Sequence, residues 1–243
     1  MLLDQYADKL ISVIGDIRDT QRESILAAAK LAADTICNDG IIYVFGSGHS
    51  HLLAEEVFYR AGGLACVSPI VNEPLMLHES ASLSSRLEKQ TGLAPKVLEH
   101  YDITPKDLVF CVSTSGVNAV PVEVTAALRE KGVDVVAITS SSYASQAVKN
   151  PMGKHLYEVA SLWIDSQAPH GDACLRPVGL PVAMTPMSTV CAAYIINSVL
   201  AEGTQLALDA GLKVPVYLSG NIPGGAEANQ ALIDRYKPRI RHL

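Results

Sequence analysis

The stretch Ile41-Ile42-Tyr43-Val44-Phe45-Gly46-Ser47-Gly48-His49-Ser50 decides the fold. Five apolar, largely β-prone residues stop abruptly at glycines and hydroxyls, the pattern of a buried strand that delivers a turn at its carboxyl end. About seventy residues on, Leu108-Val109-Phe110-Cys111-Val112-Ser113-Thr114-Ser115-Gly116 repeats that order, apolar strand first and hydroxyl-rich turn after. Two such turns at the carboxyl ends of neighbouring parallel strands face one crevice, where open α/β sheets hold their ligands.

Outward from these strands the chain alternates. Residues 2–17 and 20–37 carry apolar side chains at helical spacing (Leu10, Ile14, Ile17; Ile25, Ala29, Ala32, Ile36), with Asp19 or Thr20 as the cap of the second helix and Gly40 as its stop. A helix is expected over 50–61, ended by Gly62-Gly63, then a short second strand at Leu64-Ala65-Cys66-Val67 and a loop from Ser68-Pro69. Helical pieces fill 82–100. A helix over 119–131, a fourth strand at 135–139, a short helix around 145–148 and a weak fifth strand at 162–165 continue the βαβ rhythm. Residues 166–184 read as a long loop, Thr185-Pro186 as a helix start, and 225–236 as a last helix. The expectation is a three-layer α/β sandwich, a five-stranded parallel sheet flanked by helices, preceded by two leading helices. Residues 1–40 form the leading hairpin, 41–214 the sheet domain and 215–243 a tail, all in one unit.

The 243 residues are about half apolar, enough for a sizeable core, and the net charge of −6 leaves no basic footprint. Nucleic acid is therefore a poor partner, and a small anion must be held by local donors. Five cysteines (Cys37, Cys66, Cys111, Cys174, Cys191) without CxxC spacing suit a reducing, cytoplasmic location. Acids stand near the amino end where an export signal carries bases. The uncharged run 178–201 is interrupted by Pro181 and Pro186, and 187–200 is too short to span a bilayer, so no membrane partner is expected.

Glycines let backbone approach a ligand, hydroxyls and N–H groups donate to phosphate oxygens, and the helix that follows adds its positive end. Both turns meet these conditions. A dinucleotide is disfavoured, because His51 stands where that fold wants a glycine and Cys66-Val67-Ser68 offers no acid for a ribose. No GK[ST] follows either turn.

With those residues in place, Gly46-Ser47-Gly48-His49-Ser50 and Ser113-Thr114-Ser115-Gly116 with Asn118 resemble the two phosphate loops of the sugar isomerase (SIS) domain family. The match covers about residues 28–214, and the Ser-x-Ser-Gly turn is its specific part. Within the family the leading helices and single compact unit are similar to phosphoheptose isomerase, to the N-acetylmuramic acid 6-phosphate etherase and, most of all, to stand-alone sugar isomerase domain proteins. The resemblance implies a flavodoxin-like strand order, a homodimer or homotetramer with sites near subunit boundaries, a role in carbohydrate metabolism and a phosphorylated sugar as ligand. It implies that Ser47, Ser113, Ser115 and the Asn118 side chain hold the phosphate.

Aldose–ketose isomerisation needs a base, usually a carboxylate, to move a proton between adjacent carbons, and an acid, often His. Glu55 and Glu56 after the first turn, His78-Glu79 after the second strand, and His170 in the long loop are the candidates. The phosphoheptose isomerases carry their catalytic Glu where this chain has Arg60. The etherases use two glutamates, one placed much as Glu79 is. The leading expectation is a phosphosugar isomerase working through an enediol; the rivals are a non-catalytic phosphosugar sensor and an amino-sugar phosphate lyase or etherase. His49-x-His51 and His170-x-Asp172-x-Cys174 supply metal-ligand types at no diagnostic spacing, and no cofactor or metal is expected.

Overall fold

The computed structural model describes residues 1–144, 146 and 150–243. The short helix expected around 145–148 lies outside them, apart from Gln146. Helices α1 (Leu2–Thr20) and α2 (Arg22–Cys37) lead into β1 (Ile42–Gly46). A 3-10 turn at Gly48–His51 and α3 (Leu52–Val57) precede β2 (Val67–Ile70), then α4 (Leu77–Leu87), α5 (Ala94–Leu98) and β3 (Leu108–Val112). Next come α6 (Ala119–Glu130), β4 (Asp134–Thr139), α7 (Ser141–Ala144), α8 (Leu156–Val159) and β5 (Leu162–Asp165). A small hairpin, β6 (Ala173–Leu175) with β7 (Met184–Pro186), leads to α9 (Ser188–Asp209) and α10 (Gly225–Tyr236).

The main sheet is all parallel, in the order β2-β1-β3-β4-β5. The order turns back between β1 and β3, which pair Ile42 with Leu108 and Gly46 with Val112. Both strands are buried along their whole length, which is why they read as continuous apolar runs and not as an alternation. Covered on both faces, such a sheet must place its ligand groups at strand ends.

One cover layer is built by α2 and α9. Ala28, Ala29, Ala32 and Ala33 of α2 are buried, and these small side chains let α9 come close with Ile195, Ile196 and Val199, each fully buried. Burying each such aliphatic chain is worth about 1.5–3 kcal/mol. The leading helices are thus integral to the core. No helix among the described residues is long and apolar enough to cross a membrane.

Four local expectations shift. The second strand lies at Val67–Ile70, not 64–67, with Pro69 inside it. A proline is tolerated there because β2 is an edge strand. Leu64 instead bridges Val216, and Ala65 donates to the Pro215 carbonyl. The helix expected over 50–61 is shorter: a 3-10 turn feeds α3, which ends at Val57 before the extended Phe58. Gln21, not Asp19 or Thr20, stands at the N-cap of α2. Finally, Thr185 and Pro186 belong to β7 and not to a helix start, because Thr185 has φ 68 and cannot lead directly into helical backbone.

Candidate functional site

Loop 1, residues 46–51, leaves β1 in a tight turn. A Cβ on Gly46 would lie 2.4 Å from the Ser50 carbonyl oxygen, so only glycine lets the chain double back there. Inside the loop, the buried Ser47 hydroxyl donates to Glu88 Oε2 at 2.9 Å, and the Glu88 carbonyl accepts from Val120 N at 3.0 Å. One residue past α4 therefore ties loop 1 to the first turn of α6. His51, also buried, donates from Nδ1 to the Gly48 carbonyl at 2.6 Å. A carbonyl can only accept, so the proton sits on Nδ1 and Nε2 is left facing Glu55 Oε1, 3.6 Å away.

Loop 2, residues 113–118, leaves β3 and opens α6 with Asn118 at the N-cap. Gly116 has φ 63 and a Cβ there would come within 2.5 Å of Thr139 Oγ1, so this position is closed to side chains. Its N–H donates to Ser113 Oγ at 3.3 Å, its carbonyl accepts from Leu156 N at 2.8 Å, and the Thr114 carbonyl accepts from Ser140 N at 3.0 Å. The loop is fixed by backbone bonds, and its outward hydroxyls are left unused. The side chains of Ser50, Thr114, Ser115 and Asn118 make no hydrogen bond to any described residue and are partly exposed.

Between the loops and the hairpin lies a cavity of about 440 Å³. His49, Ser50 and Leu53 line one side, Val112 and Thr114 the floor, and Asp172, Thr185, Ser188 and Thr189 the far wall. That wall is held by Asp172. Its Oδ1 accepts from Met187 N at 3.1 Å and Ser188 N at 2.8 Å, and its Oδ2 from Ser188 Oγ at 2.6 Å, closing the amino end of α9. Asp172 and Thr185 both have positive φ, 58 and 68, and a β-branched residue there is strained backbone on a cavity wall. Tyr6 of α1 adds a bond from its hydroxyl to the Pro186 carbonyl at 3.1 Å.

The catalytic candidates fall outside the cavity lining. Glu55 and Glu79 are exposed, Glu79 lying 3.7 Å from His78 Nε2. The His78 ring in turn lies 6.2 Å from that of His51. Glu56 is bound by Arg60 and by Asn197 Nδ2 at 3.3 Å, and lines a separate groove between α3 and α9. The His170 ring lies 4.9 Å from the Tyr143 ring at a tilt of 45°, beside Gly171 of the cavity wall. Of the phosphate candidates, His49, Ser50 and Thr114 share the cavity, while Ser47 and Ser113 are engaged in holding their loops. Sequence reasoning passed over Glu88, and it grouped Asp172 with His170 as acid–base and metal-ligand types, whereas the carboxylate caps α9. Asp172 stands early in the long loop and its partners lie 15 and 16 residues further on, so no local pattern marks it as a cap. Glu88 is joined to Ser47 across 41 residues, with no local signal at all. Among the described residues no three His, Cys, Asp or Glu side chains gather in a metal-binding group.

A family model of the SIS domain matches residues 5–140. The UPF0309 protein of Geobacillus kaustophilus strain HTA426 is 44% identical over 240 residues, covering 98% of this chain and 96% of its own length. The UPF0309 protein of Listeria monocytogenes serotype 4b, strain CLIP80459, is 42% identical with 98% and 97% covered. Among solved structures, a Bacteroides fragilis protein involved in capsule formation and assigned as a phosphosugar isomerase superimposes with a TM-score of 0.50 at 16% identity, covering 87% of this chain and 91% of that one. At that identity the likeness speaks to fold alone.

Proposed function

Because the chain belongs to the SIS domain family, we propose that it binds a phosphorylated sugar between loops 1 and 2 and converts it between ketose and aldose forms. The observation that carries the reading is the pair of hydroxyl turns at the ends of adjacent strands β1 and β3, which share one 440 Å³ cavity lined by the unused hydroxyls of Ser50 and Thr114, with Ser115 and Asn118 beside it in sequence but outside the lining. The phosphate is taken by Ser50, Thr114, Ser115, Asn118 and the amino end of α6, while Ser47 and Ser113 hold the loops that present them. A dianion needs no net positive protein when backbone and hydroxyl donors converge on it.

For the isomerisation, a carboxylate takes the proton from the carbon beside the carbonyl, an enediol forms, and the proton returns to the neighbouring carbon. The base is drawn from Glu55, Glu79 and Glu88, with His51 or His170 moving the hydroxyl proton. Glu88 is added to the sequence-derived set because its carboxylate accepts a hydrogen bond from Ser47 of loop 1. One observation favours the sensor reading as a second possibility: none of Glu55, Glu56 or Glu79 lines the cavity, and a sensor requires no base. As in the family, a homodimer or homotetramer is the assembly we propose, and the cytoplasm the location.

The test is a panel of hexose, heptose and amino-sugar phosphates, each beside its unphosphorylated sugar, followed by thermal stabilisation and by NMR of the sugar. A phosphosugar at about 100 times its Kd should stabilise the fold by about 2.7 kcal/mol. That shift should be lost in the T114A/S115A double variant. Stabilisation with product supports the isomerase and stabilisation without it the sensor. No phosphate-dependent stabilisation anywhere in the panel would sink both.

A further inference from the structure

At the opposite end of the sheet, below the amino ends of β1 and β3, lies a second cavity of about 310 Å³. Its walls come from Ile41 and Tyr43 of the first strand region, from the segment that leads into β3 (Asp102, Lys106, Asp107), and from the tail after α10 (Lys237, Arg239, Arg241). Four cations thus face two carboxylates, in a chain whose net charge is −6. The two carboxylates offset only part of that charge. Asp107 is buried and spent on the backbone, accepting from Ile41 N at 2.7 Å, Thr104 N at 2.8 Å and Thr104 Oγ1 at 2.7 Å. Asp102 is exposed and makes no ion pair with a described residue.

Lys106, Lys237 and Arg241 are exposed, but the tail that carries the last two is held in place. The tail is pinned at three points: Ile240 is fully buried, Arg239 reaches the Asp39 carbonyl at 2.6 Å and its carboxylate at 3.1 Å, and His242 Nε2 meets the Tyr101 hydroxyl at 3.1 Å. Lys106, Lys237 and Arg241 have no ion-pair partner among the described residues. Cations after a helix end commonly neutralise its last carbonyls. Here the carbonyls of Ile233 and Tyr236 are already taken by the backbone N–H groups of Lys237, Arg239 and Ile240. A second observation is independent of charge. Tyr43 is 3% exposed, lines this cavity, and its hydroxyl makes no hydrogen bond to any described residue. A buried phenol normally finds an acceptor.

We propose that this cavity is an anion site for a phosphate monoester, in which Lys106, Lys237 and Arg241 hold the phosphate and the Tyr43 hydroxyl donates from below. Ammonium and guanidinium only donate and the phenol can donate, so the site favours a group rich in acceptors with at least two negative charges. It lies across the sheet from the loops, so its occupant is separate from the sugar held there, and the inference does not depend on catalysis.

Inorganic phosphate is the probe, titrated into the full chain by calorimetry at low ionic strength, with sulfate and chloride for comparison. Four proteins are compared: wild type, K237Q/R241Q, Y43F and T114A/S115A. The expected result is that K237Q/R241Q weakens one class of phosphate site at least tenfold, and Y43F the same class about fivefold, since each charge-assisted or buried bond is worth that order. T114A/S115A should leave that class unchanged. Y43F removes only an oxygen, so its melting curve should stay two-state and keep the result interpretable. Phosphate binding that is identical in wild type and K237Q/R241Q, or that disappears wholly in T114A/S115A, overturns the proposal. Equal response to chloride reduces the site to general screening and overturns it as well.

Discussion

Replacing Asp172 tests whether the far wall of the loop cavity is held by one carboxylate. Three bonds converge on it, from Met187 N, Ser188 N and Ser188 Oγ, at the open end of the 22-residue helix α9. Losing such a cap costs about 0.5–2 kcal/mol, and losing a negative charge at a helix amino end about 0.3–1 kcal/mol more. Asp172 also has φ 58, where alanine pays a further 1–2 kcal/mol or so that glycine does not. The Asp172→Ala variant should therefore lose about 3 kcal/mol, Asp172→Gly about 1 kcal/mol less, and Asp172→Asn, which keeps one acceptor oxygen for the two N–H groups, can donate from Nδ2 to the Ser188 hydroxyl and tolerates the backbone, about 1 kcal/mol. For a chain of this size 1 kcal/mol moves Tm by about 2–4 °C, so the alanine variant should melt about 6–12 °C below wild type. Differential scanning calorimetry at pH 7 reads all three. An alanine variant within 1 °C of wild type would refute the reasoning, and so would an asparagine variant as unstable as alanine.

Three further outcomes follow. Gly46→Ala puts a methyl 2.4 Å from the Ser50 carbonyl, so soluble protein should fall sharply or loop 1 should open, with loss of phosphosugar stabilisation in the thermal assay. Burial pushes the Cys66 and Cys111 thiols up to about 12 and, helped by the Asp172 charge, Cys191 up to about 11, so iodoacetamide at pH 8 should label exposed Cys37 and spare these three, as read by peptide mass spectrometry. Arg235, and beyond it Arg239, hold the Asp39 carboxyl below its ordinary value, so its contribution is present above about pH 4 and lost as pH falls through the lowered value. The pair is half exposed, so Asp39→Asn should cost about 0.5 kcal/mol at pH 7, and the Tm difference from wild type should vanish near pH 2.

The strand-and-turn skeleton was legible because β1 and β3 are buried on both faces and so leave unbroken apolar runs that stop at glycine. The register of β2 was not, since a proline inside Val67–Ile70 argues against a strand unless the strand is known to lie at an edge. The hairpin of β6 and β7 was equally hidden. Three-residue strands carry no periodicity, and Asp172 and Thr185 adopt backbone that their side chains do not favour. For the site, residue types and spacing picked out both turns, but not which hydroxyls are already engaged. Ser47 looks like a ligand group in sequence, and only the fold brings Glu88 to it. The same limit applies to Glu55, Glu56 and Glu79, whose place outside the cavity lining is visible only in the fold.

The family model stops at residue 140, whereas the wall formed by Asp172, Thr185, Ser188 and Thr189 comes from later in the chain. Under the proposed function, grip and choice would sit in different parts of the polypeptide: the first supplying the turns that take the phosphate, the second a strained hairpin whose side chains meet whatever is attached to it. Exchanging residues 171–189 between relatives should then trade one sugar preference for another while the anchoring turns stay as they are.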